Sequence, residues 1–315
     1  MTFKSFKHKV SNNHQLHVEL AGNPNGIPVL FIHGGPGAGI NGSYQWPFDL
    51  DTYFVIAYDQ RGCGQSQPFA DIKHNSSQAL IADIESIRQY LKIERWALFG
   101  GSWGATLALL YAIEHPDRTS HIVLRGTFLG REEDYAWFLS PTGAAAQVFP
   151  KEYANFVKGV DCKDSWQCIA DSFYARMQSS DPNISQLACE QWFSWEVAIS
   201  KLVPDKKTSP NQIASNLQMK SLALLECHYI HNRCFIEENH VINNAYKITH
   251  IPIFIIHGRY DLVCKVDASI KLHEHLHNST LSIIDSAGHS AQEIGIKKSL
   301  LRTMKHIAKN ISTTQ

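Results

Sequence analysis

The sequence predicts an α/β protein with a mostly parallel, doubly wound sheet and a helical insertion. Over the first 127 residues, short apolar runs typical of buried strands alternate with runs of helical spacing, the pattern of successive β-α units. From residue 128 to 246 strand-like runs are scarce, and that stretch carries four of the seven tryptophans. Residues 1–127 and 247–315 are therefore expected to form the core, and residues 128–246 a helical cap domain over the site.

The composition favours a small-molecule or peptide substrate. Lys plus Arg and Asp plus Glu both number 29, so no basic field would attract nucleic acid or an anionic membrane. Neither a signal-like N-terminus nor a run of 18 apolar residues is seen, so we expect a cytoplasmic protein; its oligomeric state is not predicted.

The cysteines and histidines predict neither a disulfide framework nor a metal site. Seven cysteines are an odd number, which favours free thiols over a disulfide framework. His228-x-x-His231 lacks the glutamate of the metalloprotease motif, and a spacing of two residues turns His273, His275 and His277 to different helix faces. No bound metal is expected.

The first predicted elements lead to a glycine loop. Residues 6–20 alternate in polarity around Asn12-Asn13 and predict a β-hairpin of edge strands. The apolar run 28–33 predicts a buried parallel strand that enters Gly34-Gly35-Pro36-Gly37. Because Gly35 lacks a side chain, its N–H can approach a substrate oxygen, so the loop is a candidate for half of an oxyanion hole; a structural Gly-Pro turn is the alternative.

The next elements complete the first half of the core. Residues 53–58 predict a strand, expected beside the strand at 96–99. Asp59 and Arg61 follow it and are expected to form a structural charge network. Residues 78–91 have the apolar spacing of an amphipathic helix, and residues 121–126 predict a further strand.

A candidate nucleophile lies at Gly100-Gly101-Ser102-Trp103-Gly104. The segment separates a predicted strand from a helix-like run at 105–114, and strand, G-x-S-x-G and helix in that order form the nucleophile elbow of α/β-hydrolases. The glycines permit the sharp turn that lifts the Ser102 hydroxyl clear of the sheet. The N–H of Trp103 would be the other half of the oxyanion hole. A serine in a structural glycine turn is the alternative.

Two further candidates follow the last predicted strands. Asp261 comes after the strand at 251–258, and His289 comes after the strand at 281–284 and before a closing helix at 291–309. The order Ser, Asp, His is that of the α/β-hydrolase triad, in which His289 would take the proton of Ser102 and Asp261 would hold the imidazole. Asp285 is an alternative acid, and His257 and His33 are alternative bases.

These motifs together resemble those of the proline iminopeptidases, a family of the α/β-hydrolase fold. The likeness covers nearly the whole chain and rests on residues 33–37, 59–66, 100–104, 124–126 with Phe128, 258–261 and 288–291. It implies a triad of Ser102, Asp261 and His289 and no cofactor.

The resemblance extends into the cap and implies a substrate. Trp195-Glu196 and Leu225-Glu226-x-His228-Tyr229 match two family motifs whose glutamates bind the α-amine of the first residue. A cationic amine sealed under a cap needs such carboxylates, because its desolvation costs several kcal/mol. The family's proline pocket matches Phe128, Trp137, Phe138 and Cys264. The departures are Val197, Ile230 and Tyr153, which bear on the shape of that pocket.

The expected activity is that of a serine exopeptidase that releases an N-terminal proline from small peptides through a prolyl-enzyme. A carboxylesterase or amidase acting on uncharged substrates is the alternative, since it needs only the triad and the oxyanion hole. A catalytically silent receptor of the same fold is a third reading, and the intact set of site residues argues against it.

Overall fold

The computed structural model describes residues 2–40, 44–203 and 216–312 and contains an eight-stranded sheet. The strand order is β1-β2-β4-β3-β5-β6-β7-β8. β1 pairs with β2 and β2 with β4 in antiparallel fashion, and every other neighbouring pair is parallel. The strands are β1 Thr2–Lys9, β2 Gln15–Gly22, β3 Ile27–Ile32, β4 Tyr53–Tyr58, β5 Trp96–Ser102, β6 Thr119–Thr127, β7 Ile253–Gly258 and β8 Ser279–Ile284.

Helices cover both faces of the sheet. They are α1 Ser77–Tyr90, α2 Trp103–Glu114, α3 Glu132–Leu139, α4 Ala144–Val148, α5 Pro150–Phe156, α6 Trp166–Met177, α7 Pro182–Ile199, α8 Asn216–His231, α9 His240–Asn244, α10 Val266–Glu274 and α11 Ile294–Ser312. One core cluster joins the sheet to α1, α2 and α10, and a second joins its other face to α11. The doubly wound α/β prediction is confirmed.

The central elements are apolar because both of their sides are covered. All seven residues of β5 are buried, as expected for a parallel strand between two helical layers. In α2 only Glu114 is not buried, so this helix lacks the polar face that a surface helix shows. The nucleophile candidate therefore lies at the junction of the two most buried elements of the core.

Some details differ from the sequence prediction. β3 lies between β4 and β5, so residues 53–58 are not beside the nucleophile strand. β1 is an edge strand, but β2 is paired on both sides. Strand order depends on contacts between distant segments, which local patterns do not encode.

Asp59 and Arg61 do not pair with each other, contrary to expectation. The Asp59 carboxylate accepts backbone N–H groups of Ile40 and Gln65, both at 2.7 Å. Arg61 is buried and donates to both carboxylate oxygens of Asp83 at 2.7 Å. Both residues are structural, as predicted, but Arg61 ties its loop to α1.

Helices α3 to α9 all fall between β6 and β7. An aromatic cluster holds several of them together, with Phe156 stacked on Phe173 at 4.7 Å and on Trp195 at 5.4 Å between ring centroids. No helix within the described ranges is long and apolar enough to pass through a bilayer.

The cysteine prediction was partly wrong. Cys162 and Cys168 form a disulfide at the start of α6, whereas Cys63, Cys189, Cys227, Cys234 and Cys264 are free and buried. The odd count could not indicate which two of the seven thiols come together.

Candidate active site

Ser102 sits on a sharp turn between β5 and α2. Its φ is +57° and its ψ −128°, an unusual backbone conformation for a residue other than glycine. The glycines beside it make room for the turn: a Cβ on Gly104 would lie 2.2 Å from the Ile32 carbonyl oxygen, and one on Gly100 would lie 2.2 Å from the Gly104 carbonyl oxygen. This backbone is that of a nucleophile elbow.

Asp261 and His289 form a hydrogen-bonded pair at the ends of β7 and β8. Asp261 accepts the backbone N–H groups of Val263 and Cys264 on Oδ1, and the Nδ1–H of His289 on Oδ2 at 2.7 Å. Burial alone would raise the pKa of Asp261, but the charge of His289 and the imidazole hydrogen bonds outweigh it and lower that pKa. Asp261 thus stays ionised and fixes the His289 tautomer with its proton on Nδ1.

The other ring nitrogen of His289 is held by Arg125, the residue at the end of β6. Arg125 Nη1 donates to His289 Nε2 at 2.8 Å and to the His289 carbonyl oxygen at 3.1 Å. Burial lowers the pKa of His289, and the Arg125 charge adds to this effect, while Asp261 opposes it. Within the described residues no hydrogen bond joins Ser102 to His289; the Ser102 hydroxyl instead lies 3.8 Å from Cys264 Sγ.

Ser102 opens into a small cavity beneath the inserted helices, here called the cap cavity. Its volume is about 20 Å³, which is room for roughly one water molecule. Predicted site residues that line it are Gly35, Ser102, Trp103, Phe128, Phe138, Glu226 and Cys264. Glu196 and Trp137 were predicted with them but are not among its lining residues. The Trp137 indole N–H is buried with no hydrogen-bond partner in the described part of the chain.

Glu226 presents a buried carboxylate to the same cavity as Ser102. It is 5% exposed, and its Oε2 accepts the indole N–H of Trp192 at 2.6 Å. Burial, together with the charge of Glu196, raises the pKa of Glu226 well above its ordinary value, although the Trp192 hydrogen bond opposes this. No Lys, Arg or His among the residues with described side chains forms an ion pair with it.

Glu196 lies close enough to Glu226 for the two charges to interact. It is half-buried on α7, and burial raises its pKa to about 7 against the opposing charge of Arg125. Two carboxylates with raised pKa values near a nucleophile are typical of a functional site.

The oxyanion-hole candidates flank Ser102 in the cap cavity. Gly35 has φ +105°, and a Cβ there would lie 2.7 Å from the Gly37 nitrogen, so only glycine fits the loop. Trp103 follows Ser102, and its indole N–H donates to the Gln60 side chain at 2.9 Å.

The alternative acid and bases have other partners. Asp285 is exposed and pairs with Arg259 at 2.6 Å. His33 accepts the Gln60 backbone N–H at 3.0 Å, so it fixes the loop after β4.

The contacts of His257 and Arg125 with the candidate site were not predicted from the sequence. His257 is fully buried, and its Nε2 lies 3.2 Å from Asp261 Oδ2 and 2.9 Å from the Cys264 carbonyl oxygen. Arg125 was noted only as a member of the family motif at residues 124–126 and was given no role in the site. The signal that could have found it was a charged residue directly after the apolar run 122–124 of a predicted buried strand.

Comparison with known proteins gives a family match and full-length relatives. A family model described as "alpha/beta hydrolase fold" matches residues 27–295. Proteins named proline iminopeptidase are similar over most of this chain. That of Xylella fastidiosa is 39% identical over 90% of both chains. The protein from Arabidopsis thaliana is 37% identical over 93% of this chain and 77% of its own length. The protein from Neisseria gonorrhoeae is 34% identical over 95% of this chain and 94% of its own length.

Solved structures agree in fold at much lower identity. An esterase from Exiguobacterium antarcticum superposes with a TM-score of 0.66 at 19% identity, over 97% of this chain and 100% of its own. A bromoperoxidase from Bacillus anthracis superposes with a TM-score of 0.67 at 19% identity, over 97% of this chain and 100% of its own. At this identity the likeness describes the fold alone.

Proposed function

The chain belongs to the proline iminopeptidase family of the α/β-hydrolase superfamily, and on that premise we propose that it releases the N-terminal proline of small peptides. The observation that carries this proposal is the buried Glu226 carboxylate, which shares a cavity with Ser102 and has no cationic partner among the residues whose side chains are described. The α-amine of a peptide supplies that cation. Glu196 adds a second negative charge nearby.

The proposed reaction begins at the carbonyl carbon of the first residue. His289 Nε2 takes the proton of Ser102, and Ser102 Oγ forms a bond to the carbonyl carbon. The N–H groups of Gly35 and Trp103 stabilise the negative oxygen of the tetrahedral intermediate. His289 then gives its proton to the departing amine as the C–N bond breaks, which leaves a prolyl ester on Ser102.

Water completes the cycle. It loses a proton to His289 Nε2 as its oxygen attacks the ester, and the proton returns to Ser102 as free proline leaves. Asp261 stays ionised throughout and holds the imidazole by its 2.7 Å hydrogen bond. Because Arg125 occupies Nε2 in the free chain, this bond has to be exchanged for one to Ser102 before the first step.

We assign residues 128–246 to a cap that limits the reaction to one residue. Glu226, which lines the cap cavity, binds the amine, so that the first residue of the peptide is the one placed at Ser102. Phe128, Phe138 and Cys264 provide walls for the proline ring. A cavity of about 20 Å³ is too small for a prolyl group, so the cap moves outward when substrate enters.

The test compares proline β-naphthylamide, its N-acetylated form and the alanine analogue. Glu226→Gln preserves an acceptor for Trp192 but removes the charge, and should lower kcat/KM for the free prolyl substrate about 30-fold or more. Glu190→Gln is the matched control, because Glu190 is on α7 but does not line the cap cavity. Ser102→Ala should abolish turnover.

Equal cleavage of the acetylated and free substrates would contradict the proposal and indicate a general esterase or amidase. Normal turnover by Ser102→Ala would contradict the proposed mechanism, because that mechanism requires Ser102 as the nucleophile.

A further inference from the structure

A second cavity adjoins the candidate site on the other side of the glycine loop. Aromatic residues form its walls, and its volume is about 170 Å³; we call it the aromatic cavity. The residues that matter here are Phe31, Tyr44, Trp46, Phe99, Gly101 and Arg125. A cavity of about 150 Å³ holds one benzene molecule, so the space suits a single aromatic or large aliphatic side chain.

Consecutive residues line the two cavities at two places, one of them Ser102 itself. Gly34 lines the aromatic cavity and Gly35 lines the cap cavity, and in the same way Gly101 and Ser102 line one each. They are thus separated by about one peptide unit at each point.

Arg125 connects the aromatic cavity to His289. It lines that cavity, and its Nη1 donates to His289 Nε2 at 2.8 Å. Gly101 gives it space, since a Cβ there would lie 2.4 Å from Arg125 Nη2. The charges of Asp261 and Glu196 act on this half-buried guanidinium, but no carboxylate with a described side chain lies within ion-pair distance of it, so it forms no direct ion pair.

The chemistry of the proposed reaction decides which part of the substrate faces this cavity. The first residue takes the cap cavity, where Glu226 lies. The departing amine must lie at His289 Nε2, because that atom protonates it. In a dipeptide the carboxyl carbon lies roughly 2.5 Å from this nitrogen, two bonds away, and so within reach of Arg125.

We propose that the aromatic cavity binds the second residue of the substrate, with an aromatic or large aliphatic side chain among its rings and the carboxylate on Arg125. This inference rests on the proposed function. Once Arg125 donates to the carboxylate, His289 Nε2 is free to accept the Ser102 proton. The favoured substrates are dipeptides of proline followed by a large apolar residue.

The first experiment measures kcat/KM for Pro-Phe and Pro-Gly. Wild type should favour Pro-Phe by about tenfold or more, as expected for a filled apolar pocket. Trp46→Ala should bring the ratio close to one, whereas Tyr246→Ala, an exposed aromatic far along the chain, should preserve it. A ratio within one variant is independent of how much of that variant folds. Equal rates in wild type, or an unchanged ratio in Trp46→Ala, would overturn the inference.

The second experiment compares Pro-Phe with its C-terminal amide. Wild type should favour the free acid by about tenfold, a typical value for a charge-assisted contact, and Arg125→Gln should remove the preference. Equal rates for acid and amide in wild type would exclude the carboxylate contact.

Prolinamide, which has no second residue, separates the two proposals. If wild type hydrolyses it and yet does not prefer Pro-Phe to Pro-Gly, the aromatic cavity is not a subsite and the proposed function stands. If no substrate with a free prolyl amine is cleaved, both proposals fail.

Discussion

At the residue scale, the buried carboxylate of Glu226 opposes stability while it serves binding. Its pKa in the folded chain lies above the ordinary value of 4.5, because burial and the neighbouring Glu196 disfavour the charge. Between these two pKa values the folded chain holds more protons than the unfolded chain. The free energy of unfolding therefore falls as pH rises above 4.5.

We expect Glu226→Gln to be more stable than wild type at pH 8. Glutamine does not titrate and still accepts the Trp192 hydrogen bond, so the variant does not lose stability as pH rises above 4.5. Thermal unfolding at pH 5 and pH 8 measures it: the difference between the two proteins should grow with pH. A variant less stable than wild type at pH 8 would show that the charge is compensated in the free chain.

Glu196 should control the acid side of the activity profile. With a pKa of about 7, its carboxylate becomes charged as pH rises through neutrality, and only the charged form attracts the substrate amine. The kcat/KM of wild type, which reports the free enzyme, should rise across this range.

In Glu196→Gln this rise should shift to lower pH. The group that titrates near 7 is gone, and the pKa of Glu226 falls because it no longer faces a second negative charge. A profile unchanged in position would mean that Glu196 does not titrate in the reaction.

At the same scale, some site residues could be predicted from the sequence and others could not. Ser102, Asp261 and His289 lie at or just after the carboxyl ends of parallel strands, so their place at one sheet edge could be inferred from the order of those strands. The Arg125 contact with His289 depends on how a long side chain crosses from β6 to the loop after β8, which no local pattern encodes. The same holds for Trp137, which matched a family pattern but lies away from the cap cavity.

At the element scale, the elbow depends on close contact between β3 and α2. Gly104 lies in the first turn of α2, and a Cβ on it would meet the backbone of Ile32, which cannot yield. Gly104→Ala should therefore destabilise the fold by about 1–3 kcal/mol and displace Ser102.

Gly295→Ala in the first turn of α11 is the matched control for that change. There the added Cβ would lie 2.4 Å from the Cγ2 methyl group of Ile284, a side chain rather than backbone, so the free energy of unfolding should fall less than in Gly104→Ala. Chemical denaturation of both variants gives the comparison. Equal stability of the two would mean that β3 and α2 can separate without cost.

The elements themselves could largely be predicted because hydrophobic periodicity is local. Residues 53–58 match β4 in full, and residues 78–91 differ from α1 by one residue at each end. The order of the strands in the sheet could not be predicted in this way, because β3 lies between β4 and β5 through contacts between distant segments of the chain. The Cys162–Cys168 disulfide was missed although its two cysteines are only six residues apart, because an odd cysteine count does not indicate which thiols pair.

At the scale of the whole molecule, the volume of the cap cavity implies movement. Prolyl substrates cannot enter a space of about 20 Å³ until the inserted helices shift relative to the sheet. Binding of Pro-Phe to Ser102→Ala, followed by stopped-flow tryptophan fluorescence, should therefore give a rate that levels off at high ligand concentration, because cap motion limits it.

Trp192 and Trp103 are natural reporters, since one bonds to Glu226 and the other lines the cavity. A rate that rises linearly with concentration to the highest values tested would show that the cavity is open before binding.

The distribution of the triad along the chain has a consequence during synthesis. Ser102 is made before the inserted helices, and Asp261 and His289 only after them. A nascent chain thus carries the proposed nucleophile for most of translation without the proposed base. Products of premature termination before His289 would lack the proposed base, so we expect no peptidase activity until the last strand and the loop after it have been made.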